Sequence, residues 1–525
     1  MKRYNVNQNP FKKYKRFRLK WFLLFLLIGI FIIWTGRKEH AEEKKEHLRP
    51  SEEILETTEP ESDDFQYLEE SPDIRVILQA GEYEGLYHSM VEILFPAGGY
   101  MLICEDEHWI KEEVKAGKSI TLGHMENADY YVTQEMLAAA VSADANRPLV
   151  LKSIERNRKI CSYYGRLEVT LEKGGFMVVN ALSLEQYLCS VVPSEMPASY
   201  EKEALKAQAI LARTYAYKYL IEPAYPEFGA HVDDSIAFQV YGNIDNNPAS
   251  SKAVADTSGI LLFSDKSLAE VYYYSTSCGY GTDGTAWGGE GQLYLKARRI
   301  GPGILKSADN ALIGKEAEEF YLEKLKHEQV FRNMIMEPFV EGYEAEESWY
   351  RWSAEKVQVK EEALLARLKE RYDANPNVIL TRNKSGEYVS KAVKKLGKVK
   401  SIEIAERGAG GICKKLIIEG TENTFMILQE YNIRYVLNGA GTEVVKADGS
   451  TAYCKTLLPS GFFYLDTVPL GQQVVSFNIY GGGYGHGVGM SQNGANRMAK
   501  AGLDCQNILE LFFPETVFVS YETGS

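Results

Sequence analysis

The segment 191–197, VVPSEMP, constrains the fold more than any other, because two prolines enclose a single glutamate. Pro193 and Pro197 each lack a backbone N–H and restrict the residue before them, which predicts a stiff turn instead of a continuous helix. A carboxylate among apolar residues is costly to bury without partners. Glu195 is therefore a rigidly mounted catalytic group, a solvated turn residue, or a partner for the N-terminus of the next helix.

A helix is predicted directly after this turn, over residues 201–220, with Ser199 as its N-cap. Small side chains recur at helical spacing along one side, where they would let another element approach the backbone closely. Gln208 and Arg213 are polar groups within this largely apolar pattern. Each of them needs a hydrogen-bond partner if it is buried.

A second unusual stretch, GGGYGHGVGMSQ, occupies residues 481–492. Its glycine density excludes a regular helix or strand and permits close approach of the backbone to a ligand. His486 within it either hydrogen-bonds an acetamido or hydroxyl group of a ligand, or braces the loop as a structural histidine.

These stretches resemble the SpoIID/LytB family, the sporulation stage II protein D and amidase-enhancer proteins, and further motifs follow in the family's order. They are YGRLEV at 164–169, LEQYL at 184–188, AQA and ARTYA within 207–216, FQVYG at 238–242, YSTSCG at 274–279 and LPS at 458–460. Several distinct motifs in order form a specific signal. The resemblance extends from about residue 163 to the C-terminus, with an interruption after about residue 300.

The resemblance implies a peptidoglycan lytic transglycosylase, which cleaves the β-1,4 bond from N-acetylmuramic acid to N-acetylglucosamine and leaves a 1,6-anhydro end. It implies Glu195 as the catalytic residue. One carboxyl group suffices for this reaction, because it first protonates the glycosidic oxygen and then accepts the proton of the attacking C6 hydroxyl. The usual glycosidase needs a pair of carboxylates instead.

A proton donor of this kind must stay protonated near neutral pH, so its pKa must be raised. Val192 and Met196 supply apolar surroundings that would raise the pKa of Glu195. The N-terminus of a following helix would lower that pKa. The mechanism requires burial to outweigh the helix dipole.

Further substrate-binding candidates lie in the same motifs, where hydroxyls, amides, glycine backbone or aromatic faces would meet a sugar. They are Gln208, Arg213, Gln239, Tyr241, Ser275, Ser277, Cys278, Gly279, Tyr280, Tyr484, His486 and Gln492. The tyrosines at 272–274 are either stacking faces or members of a strand that packs in the core.

Two other functions remain open. Cys278 and His486 could form a thiol nucleophile and base, which would make the chain a cell-wall peptidase or amidase. The chain could instead be a non-catalytic glycan-binding protein that stimulates a separate amidase. In either glycan-directed function the partners are peptidoglycan strands and a cell-wall amidase that removes stem peptides. No cofactor is expected.

The net charge of the 525-residue chain is −13, and the first twenty residues alone carry eight basic side chains and no acid. The remainder therefore carries about −21. Nucleic acid is excluded as a partner, since phosphate capture needs a basic surface.

Residues 21–36 are predicted to be a transmembrane anchor, because residues 21–34 are apolar and basic side chains flank them. A cleaved signal peptide is the alternative, but a small-x-small cleavage site is lacking. The positive-inside rule leaves the basic tail 1–20 in the cytoplasm and the rest of this single-pass chain outside the cell membrane.

The remaining sequence predicts an α+β protein with a SpoIID-type core assembled from two segments. The order is an acidic tether at 37–72, a β-rich accessory domain at 73–160, a first core segment at 161–300, a charged insertion at 301–348 and a second core segment at 349–525. Paired strands are predicted at 166–171 with 176–179, and within 397–420. Seven scattered cysteines give no disulfide framework. His231, Asp233 and Asp234 lack a cysteine partner, so no metal site is predicted.

Overall fold

A computed structural model describes residues 72–124, 128–156, 159–241, 246–303, 312–337, 342–439 and 441–520. It is a mixed α+β fold, as predicted. Its contacts divide the chain into two units. The first unit runs to Glu195 and includes Ala216–Asn247, and the second comprises Met196–Tyr215 and Pro248–Val519.

Within the described ranges the α-helices are labelled in chain order. They are α1 (Leu184–Glu195), α2 (Lys202–Ile221), α3 (Pro248–Asp256), α4 (Lys315–Lys324), α5 (Glu328–Met336), α6 (Glu361–Ala374), α7 (Glu430–Asn438), α8 (Gln492–Lys500) and α9 (Cys505–Phe512). The helix predicted at 201–220 is α2, whose start is two residues later than the predicted Ser199 cap implies.

The described residues of the first unit form two sheets. The seven-stranded sheet has the order Val232–Asp233, Asp73–Leu78, Gly175–Ser183, Arg166–Glu172, Leu137–Ser142, Gly99–Glu105, His108–Val114. The five-stranded sheet has the order Tyr130–Tyr131, Lys118–Gly123, Val91–Phe95, Leu149–Arg156, Lys159–Tyr163. The predicted hairpin is the antiparallel pair Arg166–Glu172 and Gly175–Ser183. Gly175–Ser183, from the predicted first core segment, also pairs with Asp73–Leu78, from the predicted accessory domain. One sheet therefore contains strands from both sides of the predicted boundary at residue 160.

The described residues of the second unit form four sheets. A three-stranded sheet has the order Ser267–Leu268, Ile260–Ser264, Val517–Ser520, and a two-stranded sheet pairs Tyr273–Tyr274 with Met490–Ser491. One five-stranded sheet has the order Thr451–Cys454, Thr442–Lys446, Trp352–Gln358, Gln473–Gly481, Phe463–Leu470, and the other has the order Tyr388–Ser390, Ile379–Arg382, Thr424–Leu428, Cys413–Gly420, Val399–Arg407. The last two strands are the pair predicted within 397–420.

The predicted insertion at 301–348 belongs to the core of the second unit. Leu322 of α4 and Phe331 of α5 are buried in one cluster with Cys278 and Phe462, which come from the two predicted core segments. Both helices therefore bury an apolar face, although most residues of α4 are polar. The charged composition of this segment reflects its solvent-facing side.

Among the described residues, no helix is both long enough and apolar enough to cross a bilayer. The predicted basic tail, the anchor at 21–36 and nearly all of the tether at 37–72 lie outside the described residues.

Candidate functional site

Glu195 is the last residue of α1, and Pro193 lies inside this helix. The predicted break at Pro193 is therefore wrong. Proline in the last turn removes one helical hydrogen bond, and burial of Leu184, Leu188 and Val192 along the same helix compensates for it. Glu195 consequently ends one helix, and α2 begins only at Lys202, so Glu195 does not lie at the N-terminus of α2.

Glu195 is half-buried, and a hydrogen bond from the main chain holds its carboxyl group in place. The backbone N–H of Val240 donates a hydrogen bond of 2.7 Å to Oε1. One carboxyl oxygen is thereby fixed in direction, which orients the whole group.

Gln239 and Tyr241, on either side of Val240, are both buried. The Tyr187 hydroxyl, from α1 itself, donates to Gln239 Oε1 at 3.4 Å. The Tyr241 hydroxyl donates to Asn180 Oδ1 at 2.8 Å, and its ring packs against that of Tyr187 with centroids 5.0 Å apart. These two predicted site residues anchor the segment that positions Val240 beside Glu195.

The loop with His231, Asp233 and Asp234 is tied to other protein groups. His231 Nδ1 accepts the backbone N–H of Arg75 at 3.0 Å, and burial, followed by the positive charge of Arg75, lowers the pKa of His231 to about 4. Asp234 forms a fully buried ion pair with Arg156 at 2.7 Å. Burial raises the pKa of Asp234 to about 6, although Arg156 acts in the opposite direction.

Gln208 and Arg213 lie on the stretch of α2 that belongs to the second unit, and both are fully buried. Arg213 donates to the carbonyl oxygens of Val254 at 3.1 Å and Ile260 at 3.3 Å. Gln492 Nε2 donates to Gln208 Oε1 at 3.2 Å, so two predicted site residues 284 positions apart are in contact. In this structure Gln208, Arg213 and Gln492 thus form hydrogen bonds with other protein groups inside the second unit.

The motif at 274–279 and the glycine-rich run lie side by side. Tyr273–Tyr274 pairs in parallel with Met490–Ser491. Ser275 is half-buried, whereas Ser277, Gly279 and Tyr280 are buried.

Glu344 joins the two motifs and was not predicted. Its carboxyl group is completely buried and accepts hydrogen bonds from the Ser277 N–H at 2.9 Å, from the Ser277 hydroxyl, and from the Ser491 hydroxyl at 2.7 Å. Burial raises the pKa of Glu344 to about 7, and the hydroxyl donors oppose this only in part.

Cys278 is fully buried, and burial raises the pKa of its thiol to about 11. His486 accepts the Val488 N–H at Nδ1 (3.1 Å), so its proton is on Nε2, which donates to the Tyr273 carbonyl oxygen at 3.0 Å. Burial, followed by the positive charge of Arg434, lowers the pKa of His486 to about 4. A buried thiol and a histidine whose two nitrogens are both engaged give no support to a thiolate mechanism.

Two glycines show why the glycine-rich run packs so closely. Gly487 and Gly489 have φ of +80° and +76°. A Cβ at Gly487 would lie 2.4 Å from the Phe462 ring, and one at Gly489 would lie 2.1 Å from the Tyr272 carbonyl oxygen. Both positions therefore require glycine for conformation and for space.

Of the predicted site residues, Tyr484 is the most accessible, with 43% of its surface exposed. Glu195 and the Gln239–Tyr241 segment form one site in the first unit. In the second unit Gln208 contacts Gln492, and Glu344 links the motifs of Ser277 and Ser491, whereas Arg213 contacts Val254 and Ile260. Sequence reasoning missed Val240, since a main-chain N–H leaves no mark on the side-chain pattern.

Residues 172–263 match the family profile described as Stage II sporulation protein, SpoIID. Residues 282–489 match a family described only as a domain of unknown function. The second match covers both the segment predicted as an insertion and the glycine-rich run up to Gly489.

The chain is 27% identical over 334 residues to the Bacillus subtilis amidase enhancer, which covers 64% of this chain and 40% of that protein. It is 35% identical over 133 residues to stage II sporulation protein D of Bacillus amyloliquefaciens and of Bacillus subtilis, which covers 23% of this chain and 39% of each relative. The aligned regions thus span at most 40% of these relatives' own length. The match at residues 172–263 and these relatives confirm the resemblance of this chain to the SpoIID/LytB family.

Proposed function

We propose that this chain is a peptidoglycan lytic transglycosylase that acts in cell-wall remodelling or sporulation. The observation that carries the proposal is the position of Glu195, a half-buried carboxyl group at the end of a helix with one oxygen held by Val240. The resemblance to this family supports a cell-wall role. The reaction itself is our inference from this carboxyl group.

In the proposed mechanism Glu195 acts first as an acid and then as a base. A carboxylic acid whose Oε1 accepts the Val240 N–H carries its proton on Oε2, from which it protonates the glycosidic oxygen. The mechanism requires this neutral form until the glycosidic oxygen has been protonated. After the bond breaks, the carboxylate accepts the proton of the C6 hydroxyl as that oxygen closes the 1,6-anhydro ring, and the acid is restored.

The test is mass spectrometry of fragments released from glycan strands by the wild type and by Glu195→Gln. Glutamine retains the shape and the Oε1 acceptor but cannot donate the required proton. Glu185→Gln is the matched control, because Glu185 lies on the same helix and is also half-buried. We expect anhydro ends from the wild type and Glu185→Gln only. Anhydro ends released by Glu195→Gln at the wild-type rate would overturn the proposal.

A second candidate is a non-catalytic enhancer of a separate cell-wall amidase. It is favoured by the 334-residue match to a protein named amidase enhancer. This match covers 64% of the chain, whereas the match to stage II sporulation protein D covers 23%. Stimulation of a purified amidase by the wild type and by Glu195→Gln alike, with no anhydro ends from either, would support this candidate.

We also propose that residues 21–36 anchor the chain in the cell membrane with its catalytic region outside, because of their apolar composition and basic flanks. A cell-wall amidase that removes stem peptides is the proposed partner. Full cleavage of peptide-bearing strands without amidase would argue against this dependence. Release of the full-length chain from membranes by high salt would argue against the anchor.

A further inference from the structure

The rings of Tyr484 and Trp349 form an aromatic pair on the surface of the second unit. Their centroids are 4.6 Å apart and the rings are inclined by 35°. Tyr484 is 43% exposed and Trp349 is half-buried. The pair therefore has both a fixed geometry and an accessible face.

The main chain holds the two rings in place. The N–H of Gly483 donates to the Trp349 carbonyl oxygen at 2.8 Å, and Trp352 Nε1 donates to the Gly483 carbonyl oxygen at 3.1 Å. Tyr484 follows Gly483 directly, so its ring cannot move far from Trp349. A rigid aromatic pair loses little conformational entropy when a ligand binds.

Polar groups continue this surface. Tyr484 and Thr276 exchange backbone hydrogen bonds at 2.8 and 3.1 Å as an antiparallel pair, so their side chains lie on the same face. Asn493 Nδ2 donates to Thr276 Oγ1 at 2.9 Å, and the Tyr200 hydroxyl donates to Asn493 Oδ1. Asn493 and Tyr200 are both half-buried. An amide and a phenol are thus linked to the aromatic pair through Thr276.

A cation lies over the tryptophan of the pair, where Lys446 Nζ is 5.2 Å from the centroid of the Trp349 ring. A saccharide has the complementary chemistry. One face of a pyranose ring carries C–H groups that pack on an aromatic ring, and its hydroxyl and acetamido groups hydrogen-bond amides, phenols and ammonium groups.

We propose that Tyr484 and Trp349 form a stacking subsite for an N-acetylhexosamine ring of the glycan strand. The inference rests on the proposed function for the choice of glycan and adds the place where one sugar binds. It also assigns a role to a portion of the segment 282–489, which otherwise matches only a domain of unknown function.

A second stacked pair, Tyr431 and Tyr435, differs in its surroundings. Its ring centroids are 6.3 Å apart. The guanidinium group of Arg367 lies 4.1 Å from the Tyr435 centroid, and that of Arg371 lies 5.1 Å from the Tyr431 centroid. An arginine therefore lies over each of these two rings, whereas at the proposed subsite Lys446 lies over Trp349 and Tyr484 is the exposed ring. Tyr431 is 39% exposed, close to the 43% of Tyr484, which makes it a matched control.

The experiment measures binding in the full-length Glu195→Gln chain, so that the glycan is not consumed. The probes are chitotetraose, followed by tryptophan fluorescence, and peptide-free glycan strands in a sedimentation assay. We expect Tyr484→Ala and Trp349→Ala each to raise Kd about tenfold. Tyr484→Phe and Tyr431→Ala should retain the reference Kd. Thermal unfolding of each variant confirms that it folds.

An unchanged Kd in folded Tyr484→Ala, or no binding of either probe by the reference chain, would overturn the subsite. Equal losses in Tyr484→Ala and Tyr431→Ala would overturn it as well. The two proposals fail separately. Cleavage that persists in Glu195→Gln rejects the catalytic role without changing these Kd values, and a normal Kd in Tyr484→Ala leaves the acid chemistry of Glu195 intact.

Discussion

The backbone N–H of Val240 donates a 2.7 Å hydrogen bond to the side chain of Glu195, 45 residues earlier in the chain. Val240→Pro removes this donor, and we expect glycan cleavage to fall about 10- to 100-fold, the effect of losing one hydrogen bond to a carboxyl group. Val240→Ala keeps the N–H and should cleave at close to the wild-type rate. Initial rates of anhydro-end formation measure both.

Equal activity of the proline and alanine variants would show that this hydrogen bond does not position Glu195. Near-ultraviolet circular dichroism of both variants separates a loss of cleavage in Val240→Pro from general unfolding, because it reports the packing of the Tyr187 and Tyr241 rings near this segment.

Glu344 should make stability depend on pH. Because burial raises its pKa from 4.5 to about 7, the folded chain binds the proton more tightly than the unfolded chain does. The resulting stabilisation is complete below pH 4.5 and is lost as the pH rises through 7, by on the order of 3 kcal/mol. Glu344→Gln keeps an uncharged acceptor, so its Tm should vary less between pH 5 and 8.

Denaturation curves at several pH values test this prediction, with the exposed Glu443→Gln as the control that should follow the wild type. Parallel pH profiles of the wild type and Glu344→Gln would contradict it.

Cys278 should be unreactive in the folded chain. Its thiol is fully buried with a pKa of about 11, whereas Cys189 and Cys454 are partly accessible. Iodoacetamide should therefore modify Cys189 and Cys454 first, and Cys278 only after unfolding. Cys278→Ala should retain glycan cleavage. Rapid modification of Cys278 in the native chain, together with lost cleavage in Cys278→Ala, would revive the thiol mechanism.

Arg156 should matter strongly for stability. Its ion pair with Asp234 is completely buried, and the same guanidinium donates to the carbonyl oxygens of Gln79 and Gly81. Arg156→Met leaves a carboxylate buried without its cation, which costs about 3–5 kcal/mol. Arg147→Met is the control, because Arg147 is 67% exposed. A similar urea midpoint for the two variants would show that the pair contributes little.

Local pattern was enough to predict several elements. The hairpin at 166–183 and the strands within 397–420 follow from alternating residues and glycine turns, and α2 follows from helical spacing. Sequence also selected Glu195, Gln239 and Tyr241, which the structure brings together.

Tertiary packing explains what could not be predicted. Pro193 signals a break, but burial of one face of α1 outweighs the missing hydrogen bond. The segment 301–348 looks solvent-exposed because α4 is mostly polar, and the sequence does not show which elements its few apolar residues contact. Glu344 gave no signal, since its three donors come from Ser277 and Ser491, which are distant in sequence.

The close fit of Gly487 against the Phe462 ring and of Gly489 against the Tyr272 carbonyl bears on how relatives are recognised. These glycines would be retained wherever the domain folds, whether or not the protein cleaves anything. A search for the motif GHGVGMSQ therefore finds relatives that share the fold, but it does not show which of them are active enzymes. Under the proposed function, sorting enzymes from binding proteins among such relatives would depend on whether each has a carboxyl group at the position of Glu195.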